Sequence, residues 1–221
     1  MKKLFLIFIC LLLILIAVSC KEADTSTAPS ASTAADGVDI PSDIEIVNVA
    51  TDRTIFDNLQ QVEDDSTIIV EAITGKNLGQ DVHTSYDYGF KKDIPDYGYT
   101  NWEVNVTKVY KGDVKAGDNL VLFQEYYIWT FGDGKKQLIS STSLKPAIKN
   151  KTYLLFLKYD DHLKGYWPVC DYEGMFAIPS DDIKEKAKTG QIKQSDLDVY
   201  GSETLHNLVP IYSEVAEKYF D

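Results

Sequence analysis

From Thr67 to Ile178 the apolar positions recur with the period of a strand. Thr67 to Thr74, "TIIVEAIT", is a β-branched run bounded by Gly75, which predicts a strand ending there. Trp102, Val104 and Val106 alternate with Glu103, Asn105 and Thr107, the period of two that marks a half-buried strand. Leu120 to Phe131 is apolar on both phases except at Gln124 and Glu125. It reads as one long strand with a bend there. Asp133-Gly134 then supplies a hairpin turn. Thr152 to Tyr159 reads as a buried strand, and "GYWPVC" and "GMFAIP" as two short ones. Pro168 places the first of these at an edge or a bulge.

The ends of this region differ from its middle. Ile44 to Val49 predicts a first strand. Thr54 to Val62 predicts a short helix capped by Asp52, with Ile55, Phe56 and Leu59 on one face. At the C-terminus, Leu205, Leu208, Val209, Tyr212, Val215, Ala216 and Tyr219 recur at helical spacing. This predicts an amphipathic helix over about 202–220, with Ser202 as its N-cap. Pro210 lies inside the pattern and should kink or restart it, because proline lacks an N–H and clashes with the preceding turn. The expectation is a mainly β (α+β) domain over 44–221, with a barrel core at about 66–178, a short N-terminal helix and a C-terminal helix.

Before this domain the pattern changes twice. Lys2 and Lys3 precede an unbroken apolar run of 15 residues, Leu4 to Val18. A membrane-crossing helix needs about 20, so the run suits the core of a secretory signal. It ends in Ala17-Val18-Ser19-Cys20, which resembles the lipobox of bacterial lipoproteins. That resemblance implies cleavage after residue 19 and lipid attachment at Cys20. It also implies a location on the outer side of the cell membrane, and more than one acyl chain makes such anchoring stable. Ala17 stands where the common pattern has leucine. Residues 20–43 are Ser, Thr, Ala and Asp with two prolines. Such a segment buries too little to order itself and reads as a tether reaching roughly 25–30 Å.

Charge and cysteine count narrow the function classes. Taking Lys2 and Lys3 from 22 basic residues leaves 20 against 34 acidic ones, a formal charge of −14 for the mature chain. Nucleic acid is disfavoured, since its recognition needs basic residues beside the aromatics. Of three cysteines, Cys10 lies in the signal and Cys20 at the lipobox, so Cys170 has no disulfide partner. Set in the apolar "YWPVC", it reads as a small buried hydrophobe rather than a reactive thiol.

The central region also resembles the OB-like barrel of the netrin and metalloproteinase-inhibitor type. The resemblance rests on Thr67–Thr74, Val106–Gly112 with Gly117-Asp118, Tyr153–Leu157 and Gly174–Ile178, about half the chain. It implies an OB-like antiparallel β-barrel. It does not carry protease inhibition, because those inhibitors are disulfide-rich and chelate zinc through an N-terminal cysteine on the barrel. Lys149-Asn150-Lys151 replaces a glycine turn of that pattern, and Asn150 tolerates a left-handed backbone.

No chemistry is legible by motif. His83, His162 and His206 lack ligand spacing. Asp64-Asp65, Asp160-Asp161 and Asp181-Asp182 sit where acids cap helices and close turns. The expectation is no catalytic residue, no metal and no cofactor. A stretch remains, "HTSYDYGFKKDIPDYGYTNW", His83 to Trp102, with six aromatics among its twenty residues besides the histidine. Thr100 and Trp102 open the next strand, with Trp102 in the core, and His83 to Tyr99 reads as a long connection between two barrel strands; long connections are commonly functional. Tyr86, Tyr88, Phe90, Tyr97 and Tyr99 are its candidate binding residues, for a peptide, a glycan or a partner protein. The alternative is a lid of tyrosines packed over the barrel end. Two further classes stay open: a hydrolase with no recognisable motif, and an immunity or regulatory lipoprotein for a membrane partner.

Overall fold

The computed structural model describes residues 40, 41, 43–49, 51, 54–170, 172–200 and 205–220. The expected signal, the expected lipid-attachment residue Cys20 and the expected tether up to residue 39 lie outside the described residues, as do Asp52 and Ser202. The fold is mainly β. Among the described residues nine strands run in chain order: β1 Glu45–Asn48, β2 Ile68–Asp87, β3 Lys92–Lys111, β4 Asn119–Gln124, β5 Tyr126–Thr130, β6 Lys136–Ser140, β7 Thr152–Asp160, β8 Gly165–Pro168 and β9 Met175–Ala177. Three α-helices accompany them: α1 Leu59–Asp65, α2 Asp181–Lys188 and α3 Leu208–Tyr219.

Five strands close a ring. β2 pairs with β3, β3 with β4, β4 with β8, β8 with β7, and β7 returns to β2. All these pairings are antiparallel except β4–β8. The expected alternation on β3 holds, because Trp102, Val104 and Val106 are buried while Asn105 and Thr107 are exposed. Leu154, Leu155, Phe156 and Leu157 on β7 are wholly buried. This strand is covered on both faces, so its sequence is a continuous apolar run rather than an alternating one. Gly112 ends β3 with φ +97°, and a Cβ there would strike Ile68 and the Thr67 carbonyl. Asn150 makes the expected left-handed turn, at φ 62°.

The long strand expected over Leu120–Phe131 is two strands. It breaks at Glu125, where the chain leaves the ring and enters a second sheet of order β1-β6-β5. Gln124 turns inward, and its Oε1 accepts the Ala147 N–H at 2.8 Å. Asp133-Gly134 does close the β5–β6 hairpin, with Gly134 at φ +84°.

Both terminal helices start later than the pattern suggests. α1 begins at Leu59, capped by Asn58, whose side chain accepts the Gln61 N–H at 3.1 Å. α3 begins at Leu208 after the left-handed Asn207. Pro210 therefore falls in the first turn, where its missing N–H has no intrahelical partner to lose, and the helix has no internal proline kink. Glu63 ties the two helices together. Its carboxylate accepts from Lys218 Nζ at 2.6 and 2.8 Å and from the Tyr219 hydroxyl at 2.6 Å. Burial, and then this carboxylate, hold the Tyr219 phenol well above its ordinary pKa. α2, rich in lysine and acid, has too weak an apolar stripe to stand out in the sequence.

Candidate functional site

His83 to Tyr99 is not an unstructured connection. β2 and β3 continue past the barrel as a two-stranded arm, pairing from Asp81↔Tyr99 outward to Asp87↔Lys92. Gly75 does not end the first strand. The strand passes register shifts on either side of Asn77, and from Gly79 to Asp87 each of its residues has a partner on β3. The turn at the tip is closed by Asp87, whose Oδ1 accepts the N–H groups of Gly89 at 2.7 Å and Phe90 at 2.9 Å. Lys91 completes it at φ 52°.

The arm divides the five candidate aromatics four to one. Tyr86 is 51 % exposed, Tyr88 85 %, Phe90 74 % and Tyr97 58 %, whereas Tyr99 is 8 % exposed. The four do not form a lid over the barrel; they stand in solvent. Tyr97 stacks on His83 across the strands, with ring centroids 4.2 Å apart and 14° between planes. Tyr86 and Tyr88 meet edge to face at 5.2 Å. Lys92 Nζ lies 5.7 Å over the Phe90 ring. Side chains this large gain little from such contacts alone, and most of their apolar area stays wet.

At the foot of the arm the surroundings change. Tyr99 packs against Phe123 of β4 and Trp167 of β8, at 5.5 and 5.2 Å, and those two rings lie 4.9 Å apart. Asp160 orients the cluster by accepting the Trp167 indole N–H at 3.1 Å. It also closes the 161–164 turn by accepting from His162 and Leu163 at 2.8 and 2.9 Å. The Leu163 N–H first, and the indole second, hold Asp160 below the usual carboxylate range. Burial, followed by the negative charge of Asp81, raises the Tyr99 phenol. Asp81 itself accepts from Asn101 Nδ2 at 2.8 Å. Tyr99 and Trp102 are thus core residues that mark where the arm leaves the barrel.

The remaining polar residues do not converge. His83 is on the arm, His162 in the β7–β8 turn and His206 just before α3. Asp181 and Asp182 open α2, and Asp65 at the end of α1 pairs with Lys158 at 2.7 Å. Among the described residues no group of three or more His, Cys, Asp or Glu is placed to hold a metal ion. Cys170 is partly buried with φ 57°, and its thiol meets the Thr54 carbonyl. A cavity of about 300 Å³ lies among β9, α2 and α3, lined by Phe176, Ile178, Ile183 and Tyr212, with the Lys151–Asp198 ion pair at 2.5 Å on its wall. No described helix is long and apolar enough to cross a membrane.

Only part of this site is legible in sequence. The aromatic density of 83–102 marks it, but nothing local shows that the chain there is a paired ribbon. Searched against protein-family models, curated proteins and solved structures, the chain matches none of them.

Proposed function

We propose that the chain is an extracytoplasmic lipoprotein, anchored through Cys20, whose domain is a non-enzymatic binding module. Its barrel serves as a scaffold, and the arm is its contact element. The observation that carries this reading is the arm itself: four large aromatic side chains held in solvent on a paired two-stranded ribbon. Burial drives folding, so a sequence that keeps four such rings wet leaves apolar surface available to a partner.

The ring of β2, β3, β4, β8 and β7, with its one parallel pairing between the third and last strands, supports an OB-like identity for the barrel. Barrels of that kind bind ligands on the face of their second and third strands, between the loop joining strands one and two and the loop joining four and five. In this chain those two connections are the aromatic arm and the 161–164 turn, and the Tyr99–Phe123–Trp167 cluster lies between them.

Two experiments test the reading. Replacing Tyr86, Tyr88, Phe90 and Tyr97 together by alanine should abolish binding in an array of peptides and glycans while leaving the thermal midpoint in place. Equal binding by the variant and the wild type would refute the arm as contact element. Separately, Cys20→Ala should move the protein out of the membrane pellet and stop processing after residue 19. Continued processing there with unchanged membrane retention would refute the lipid anchor.

A further inference from the structure

A strand edge carries unpaired N–H and C=O groups that can template another strand, and folded proteins blunt such edges by shortening, charge, proline, bulges or cover. Most edges here are blunted. β1 has four residues and β9 has three. The open side of β5 is plugged by Gln80, whose amide accepts the Ile128 N–H at 2.8 Å and donates to the Ile128 carbonyl at 2.9 Å. On the arm, the outer edge of β3 contains Pro95, which has no N–H, and a register shift that leaves Asp96 unpaired.

Over Asp81–Asp87 the outer edge of β2 is not shortened or broken by proline, and the only device it carries is charge. β7 covers β2 only over Ile68–Ile73. From Asp81 to Asp87 no described strand other than β3 pairs with it. This segment, "DVHTSYD", holds β-branched and aromatic residues and no proline, glycine or lysine. Its charge has one sign. Asp81 and Asp87 bracket it, and Asp93 and Asp96 lie opposite on β3. The arm's lysines, Lys91 and Lys92, are confined to the tip. The exposed rings of Tyr86 and Tyr97 offer faces to cations.

We infer that the edge of β2 from Asp81 to Asp87 binds an extended, lysine- or arginine-rich peptide as an added strand. This rests on the reading of the arm as the contact element and names its ligand class. Main-chain hydrogen bonds along the edge supply affinity, and alternate side chains of the peptide supply specificity. Its basic residues meet the carboxylates and the tyrosine faces, which selects against acidic strands.

The test uses the full chain in detergent micelles and a synthetic seven-residue peptide of alternating lysine and valine, with amide exchange followed residue by residue. The peptide should slow exchange of the outward amides within 82–87 by about tenfold or more and leave 92–97 unchanged. The same peptide N-methylated at alternate backbone nitrogens, and a glutamate–valine analogue, should give no protection. Protection by the N-methylated peptide would overturn the added strand, and equal protection by the glutamate analogue would overturn the basic preference. Shifts of the Tyr86 and Tyr97 ring signals without amide protection would overturn strand addition while leaving the arm as contact element. No response to the lysine–valine peptide would likewise overturn this inference, and the quadruple alanine variant then judges the arm on its own.

Discussion

Tyr97 and Tyr99 are two residues apart on the same strand, and one is 58 % exposed where the other is 8 %. They belong to the two halves of one hairpin. In the lower half, β2 and β3 form barrel walls, with β7 and β4 on their outer edges. In the upper half the same two strands pair only with each other. Backbone pairing is common to both halves, so it does not decide burial. What differs is whether other strands and helices supply a third dimension of packing. The lower half is secured by apolar contact, and the upper half by its ladder, the Asp87 turn and cross-strand rings worth a few tenths to about 1 kcal/mol each. Gly98 stands at the border. A Cβ there would lie 2.7 Å from the Tyr127 ring and 2.9 Å from the Asp81 carbonyl.

Substitutions should separate the halves sharply. Phe156→Ala, in the barrel wall against Phe176 and Tyr219, should cost about 3–5 kcal/mol in chemical denaturation. A loss below about 1 kcal/mol would show that the ring is not the stabilising centre. Gly98→Ala should cost about 1–3 kcal/mol by overpacking against Tyr127, and an unchanged midpoint would mean that the border can move. Alkali should attack the lower half. Burial first raises the Tyr153 and Tyr212 phenols to about 12. Their protonated forms therefore support the fold fully below the ordinary tyrosine pKa of about 10, and that support fades as pH rises toward 12. Denaturation midpoints measured across pH 9–12 should fall, with Tyr153→Phe reducing the slope. The smallest effect belongs to the arm. Alanine at Tyr86, Tyr88, Phe90 and Tyr97 should each shift stability by no more than about 1 kcal/mol, and a larger loss would make the arm part of the core.

The strands that sequence shows best are those whose surroundings are uniform. β3 reads cleanly over Trp102–Thr107 because one face is core and the other is solvent. β7 reads cleanly as an apolar run because both its faces are covered. The arm was hidden for the opposite reason. Glycine, proline and aspartate among its aromatics are turn and loop formers by local preference, and the ladder overrode them. The interruption at Gln124 and Glu125 shows in the sequence as a bend, but the change of sheet there does not, since both strands it separates are apolar. Cys170, expected as a small buried hydrophobe, is only partly buried and holds a left-handed backbone. No local pattern signals that conformation in a residue other than glycine or asparagine.

Sequence alone determined the mainly β character, the positions of most strands, the two terminal helices, the acidic charge and the aromatic density of residues 83–102. These follow from the period of burial and from composition, which are properties of short segments. Tertiary structure decided that five strands close on themselves, that Leu120–Phe131 divides between two sheets, and that the aromatic stretch is a projecting ribbon rather than a loop. It also decided which of the five aromatics is core and which four are exposed. Ring closure and the change of sheet depend on segments dozens of residues apart, and the exposure of the ribbon depends on the other strands stopping short of it; neither leaves a mark on one segment read singly.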